Sequence, residues 1–169
     1  QPYAMKLHAT KDWTDATISF YAASTNVPHG AYRVDAVSLQ LISGAAANRV
    51  DCLDPYAPLV AGGGDGPELL TNGDFNTGAL APWGTFGTIT HQIAANVFEF
   101  IKPNATPPSG VVLQPTGQAF PAGTVVTATF QLGNSSLVRK RVTVLLHDND
   151  FSDLSACTFW LAPGQALTT

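Results

Sequence analysis

Thr124-Val125-Val126-Thr127-Ala128-Thr129-Phe130-Gln131-Leu132 alternates strictly over its last seven residues. Val126, Ala128, Phe130 and Leu132 share one face; Thr127, Thr129 and Gln131 share the other. Period two is the spacing of a strand, and one apolar face is that of a strand half-buried on a core. The same pattern recurs along the chain. In 138–147, Val138, Val142, Val144 and Leu146 oppose Arg139, Arg141, Thr143 and His147, with Lys140 intruding on the apolar side. In 15–21, Ala16, Ile18 and Phe20 oppose Asp15, Thr17, Ser19 and Tyr21. In 3–9, Tyr3, Met5, Leu7 and Ala9 oppose Ala4, Lys6 and His8. In 156–161, Cys157, Phe159 and Leu161 oppose Thr158 and Trp160. Shorter candidates lie at 32–41, 68–71, 84–91, 96–102 and 110–115. The total is about ten strands with no helical period, which predicts an all-β antiparallel sandwich.

Composition narrows the function. Charged residues make up 12% of the 169, about half the usual ~25% share. Gly 15 and Pro 12 suit many short strands joined by turns. A net charge of −4 opposes nucleic-acid binding, which needs a basic surface. No apolar run approaches the ~18 residues of a membrane-spanning helix. Low charge, many threonines and two glycosylation sequons, at Asn104 and Asn134, fit an extracellular or cell-surface protein. In an exported chain, the even cysteine count points to one disulfide, Cys52–Cys157; the alternative is two unrelated buried thiols.

Catalysis finds little footing. GxSxG, HExxH and P-loop motifs are absent, the two glutamates, Glu68 and Glu99, lie far apart, and the four histidines show no ligand spacing. A non-enzymatic protein is expected.

Between residues 44 and 67 the alternation stops. Asp54-Pro55-Tyr56-Ala57-Pro58 and Gly62-Gly63-Gly64-Asp65-Gly66-Pro67 read as a linker. Residues 1–43 then supply about three strands and 68–169 about seven, and neither set makes a comfortable sandwich alone. Joined in the order 68–169 then 1–43, they do. The expectation is that 1–43 ends one sandwich and 68–169 begins the next. Adjacent copies would thus complete each other, as a covalent tandem array or by strand complementation. A fragment spanning two ordinary domains is the third possibility.

The residues also resemble a known family. Leu69-Leu70-Thr71-Asn72-Gly73-Asp74-Phe75, with Gly78 and Trp83, looks like the opening of carbohydrate-binding modules of the family 4/9 type. Tyr32-Arg33-Val34-Asp35-Ala36-Val37-Ser38-Leu39 looks like the close of the same module, and residues 129–161 resemble its middle in repetitive bacterial surface proteins. The order is permuted. The resemblance implies a jelly-roll sandwich of the galactose-binding-like kind. It also implies a structural calcium held by Asp35, Asp74 and Asn76, although the family usually carries Glu where this chain has Asn76.

A sugar site on a sandwich needs an exposed aromatic and planar polar groups. Alternation turns Trp160 onto the polar face, where Arg139, Arg141 and Gln131 are the candidate partners; the competing role for Trp160 is packing under arginine stems. Phe75 and Trp83 are expected to plug the core, and His147–Asp153 to form a solvated turn. The expected function is a structural repeat of an extracellular fibre or surface array, whose partners are neighbouring copies of itself. The alternative is a module or adhesin domain that recognises a polysaccharide.

Overall fold

The computed structural model describes residues 2–22, 31–43, 51–53, 64–103 and 110–167. They contain eleven strands and no helix: β1 (Pro2–His8), β2 (Ala16–Ala22), β3 (Tyr32–Leu41), β4 (Asp51–Leu53), β5 (Gly84–Gly87), β6 (Thr90–Ala94), β7 (Val97–Ile101), β8 (Gly110–Pro115), β9 (Val125–Asn134), β10 (Lys140–Asp148) and β11 (Leu154–Leu161). All pairings are antiparallel. One sheet runs β4-β1-β9-β3-β7-β6, the other β11-β10-β2-β8-β5. The all-β sandwich expected from the alternation is present.

The two halves of the chain are interleaved. β9 lies between β1 and β3, and β2 lies between β10 and β8. Without residues 2–41, β8 and β10 would each lose a neighbour and β9 would lose both. The expectation drew the two segments from adjacent copies; in this chain they come from the same one, and close a single sandwich.

The inward faces of both sheets make one core. Tyr3, Phe20, Phe130 and Phe159 meet at its centre, with Phe20 and Phe130 edge-to-face at 5.2 Å. Such offset and edge-on ring pairs follow from the aromatic quadrupole. Phe75 and Trp83 are fully part of this core, as expected, and Trp83 Nε1 donates to the Asn72 carbonyl. Trp13 is buried as well, stacked on Phe120.

Two expectations shift in detail. Residues 84–91 are not one strand: β5 and β6 belong to different sheets, with the chain crossing between them. Residues 68–71 form only a bridge, Glu68 to Gln40, because the Glu68 carboxylate itself binds the Leu39 and Leu70 amides.

Candidate functional site

Alternation in β2 sends Ile18 and Phe20 into the core and Thr17, Ser19 and Tyr21 to the outer face of the five-stranded sheet. In register beside them stand Val111, Leu113 and Pro115 of β8, then Phe86 of β5. On the other side His147 of β10 is paired with Thr17, and the turn after β10 brings Phe151 over the sheet. These residues enclose a groove of ≈ 530 Å³. Phe86 is 67% exposed and Phe151 49%, so the walls form a contiguous apolar surface of the kind that marks a binding or docking face.

The groove floor is polar and ordered. His147 Nδ1 lies 2.7 Å from the Asp148 carbonyl oxygen, which can only accept, so the proton sits on Nδ1. Nε2 therefore accepts from Ser19 Oγ at 2.8 Å. Phe151 stacks on the imidazole with centroids 4.1 Å apart. Burial holds the His147 pKa below its ordinary value, against the opposing pull of the Asp148 carbonyl and carboxylate. The Asp148 carboxylate in turn accepts from the amides of Thr14, Asp15 and Asn149 and from the Thr14 hydroxyl.

Residues 147–153 were expected to be a solvated turn. Residues 149–152 are an exposed turn, as expected, while His147 and Asp148 are buried at the end of β10; Asn149 and Phe151 also border the groove, and Asp153 ties the turn to the 10–15 loop by accepting from the Thr10 amide and Trp13 Nε1. No single pattern in the sequence signals the groove, because it is assembled from four separated segments. The one available hint was the apolar outer positions of 110–115, where Val111 and Leu113 break the polar-out rule.

Trp160 lies on the same outer face, 52% exposed. The guanidinium of Arg139 is 4.5 Å from its ring centre and that of Arg141 5.7 Å. Arg141 is its direct cross-strand partner. The expected Trp160–Arg139–Arg141 cluster is thus assembled, with both cations on the ring. Gln131 does not join it. β9 belongs to the other sheet, so Gln131 is separated from Trp160 by the sandwich; alternation was read correctly, but it does not say which sheet a strand enters.

Of the residues expected as calcium ligands, Asp35 lies at a bulge in β3, and Asp74 and Asn76 lie on the segment that packs against it. Between Asp35 and Ser38 the β3–β9 register slips, and Ala36 takes a φ of 48°. The Gly73 carbonyl accepts from the Val37 amide, and a Cβ on Gly73 would lie 1.9 Å from the Val37 oxygen, so only glycine fits. This contact sets the opening segment on the bulge. Asp35 Oδ1 accepts from the Ala36 amide, and Asp74 accepts from the Asn76 amide and Nδ2. Burial raises the Asp35 pKa above the usual carboxylate range; the Ala36 bond opposes this and the nearby Asp74 charge adds to it.

Cys52 and Cys157 are joined, with Cα atoms 5.6 Å apart. β4 and β11 are edge strands of opposite sheets, so the bond clamps the two layers along one open side. The sequon residues behave differently. Asn104 lies outside the described residues. Asn134 is a correction: it is fully buried, and the Nδ2 atom that a glycan would occupy donates to the carbonyls of Val138, Leu161 and Ala162. The folded chain has no room for sugar there. A sequon records only local sequence, whereas the burial comes from the 161–165 segment folding over it.

No family model, curated protein or solved structure matches this chain.

Proposed function

We propose that the chain is a non-enzymatic structural unit of an extracellular head-to-tail assembly. One observation carries this reading. After β11 the chain returns to the start of β1, where Gln165 Nε2 donates to Tyr3 Oη and to the Leu132 carbonyl. The packing of the 161–167 segment beside β1 supports the order 68–167 followed by 2–43. The 2–43 segment of a neighbouring copy, joined covalently or donated as strands, would make the same pairs. The Cys52–Cys157 bond supports an oxidising compartment and locks the linker strand to the sandwich. The resemblance to modules of repetitive surface proteins points the same way.

Size measurements on the native material test it. A species far above 17.7 kDa on a reducing denaturing gel supports a covalent array. A 17.7 kDa band from material that is large under native conditions supports a non-covalent assembly, through donated strands or through a surface contact between closed copies. A monomer under both conditions overturns the assembly.

A second reading, recognition of a polysaccharide, is favoured by the half-exposed Trp160 with its two arginines. It requires retention on an insoluble polysaccharide that Trp160→Ala abolishes. In either reading Asp35, Asp74 and Asn76 would hold a structural calcium, whose charge would offset the two carboxylates at the bulge.

A further inference from the structure

The two ends of the five-stranded sheet differ in charge and in shape. At one end lies the turn between β9 and β10, where Leu137 is 88% exposed and Val138 44%. Nothing in the described residues covers this apolar tip. Beside it stand Arg139 and Arg141, and the sequence of 134–146 and 154–166 contains no carboxylate. At the other end are Asp148, Asp150 and Asp153, together with Asp12 and Asp15 of the adjoining loop, against the single cation Lys11. The nine residues of β10 separate these ends by roughly 30 Å. The apolar groove runs along the outer face from Asn149 and Phe151, at the acidic end, to Phe86 and Val111, whose row continues through Tyr21 to Thr143.

We propose that the Leu137–Val138 tip of one copy docks in the groove of the next. Four observations fit together: an exposed apolar knob, an apolar groove elsewhere on the same molecule, arginines beside the first and aspartates at one mouth of the second. The partner is a second copy of this chain, because its cationic tip complements the acidic mouth of the groove in charge. Because knob and groove occupy different places, the contact is heterologous and does not close on itself; repeated, it builds a filament. Opposite charges set the polarity of docking and disfavour knob-to-knob or groove-to-groove pairs. The inference rests on the assembly reading and supplies its contact surface.

Complementary blocked copies provide the test. Leu137→Glu removes the knob and leaves the groove; Phe86→Asp spoils the groove and leaves the knob. Both side chains are largely exposed, so the fold is kept, which circular dichroism and thermal melting confirm. Sedimentation of the disulfide-bonded chain should show wild type growing with concentration. Each variant alone should associate about tenfold more weakly or worse. Their equimolar mixture should form a 1:1 pair and nothing longer. Association of the wild type should weaken with added salt, as charge steering requires.

The proposal is overturned if the mixture stays monomeric, if either variant elongates like wild type, or if Phe86→Asp blocks association while Leu137→Glu does not, which would indicate a groove-to-groove dimer. Wild type that elongates with both variants unaffected removes this contact and leaves the assembly reading standing. Native material that is monomeric in the gel test removes the assembly reading itself.

Discussion

Gln165 Nε2 donates to Tyr3 Oη at 2.8 Å and to the Leu132 carbonyl at 2.9 Å, so one amide ties the segment after β11 to the first strand. Its own carbonyl side also works: Oε1 accepts from the Ala162 amide. Gln165→Leu would leave these partners without their bonds in a largely buried place, at a cost of about 2–3 kcal/mol. A denaturant midpoint that falls with an unchanged slope checks this. A chain rearranged to 54–169 followed by 1–53 should fold with the same far-ultraviolet spectrum and the same Cys52–Cys157 bond, because the new junction joins segments already in contact.

The Cys52–Cys157 bond spans 105 residues and holds the three-residue strand β4 on the edge of β1. Closing so long a loop restricts the unfolded chain, so a variant with Cys52→Ser and Cys157→Ala should lose about 2–4 kcal/mol. Alanine at 157 avoids placing a hydroxyl in the core, where Cys157 is 1% exposed. Addition of reductant to wild type should lower its melting temperature towards that of the variant. An unchanged melting temperature in the double variant would show that the clamp does not stabilise the sandwich.

Much of the sandwich was legible because burial acts on single residues. Phe130 and Leu132 announce their face whatever β9 pairs with, and Phe75 and Trp83 reveal the core by type alone. Sheet membership is another matter. Gln131 and Trp160 share the polar side of their respective strands, yet strand order, which depends on long-range pairing, puts them on opposite surfaces. The groove was hidden for the same reason: Phe86, Tyr21 and Phe151 become neighbours only through the β5-β8-β2-β10 order. Asn134 shows the converse error, in which a local motif was read without its covering segment.

Lys140 was visible as an exception to alternation, and its position yields a pH dependence. The side chain is 2% exposed, with Nζ 4.5 Å from the centre of the Tyr32 ring. Burial lowers its pKa from 10.5 to about 8. Between those values the unfolded chain binds more protons than the folded one, so the stability linked to this group rises with pH across the window and is least below its lower end. Lys140→Met has no such group. The stability of the variant minus that of wild type should therefore be largest at pH 7 and shrink as pH rises from about 8 towards 10.5. Urea unfolding of both proteins across that range measures it; a constant difference would mean that the ammonium is not penalised by burial.

Asp35 and Asp74 offer the remaining test, because their mutual repulsion is what a cation would remove. Calcium at concentrations well above its dissociation constant should raise the melting temperature, with a stabilisation of about 2.7 kcal/mol at a hundredfold excess. Asp35→Asn should abolish the response while keeping the Gly73–Val37 contact that shapes the bulge. Proton and metal compete for the same carboxylate. Since burial first, and Asp74 with it, holds the Asp35 pKa above its ordinary value, the calcium effect should begin to fade at a higher pH than an ordinary aspartate would give. The fading follows from its sign: the metal binds the deprotonated form, whose population falls as pH drops through the raised pKa. A melting temperature indifferent to both calcium and chelator at pH 7 would leave Asp35, Asp74 and Asn76 as a hydrogen-bonded turn and nothing more.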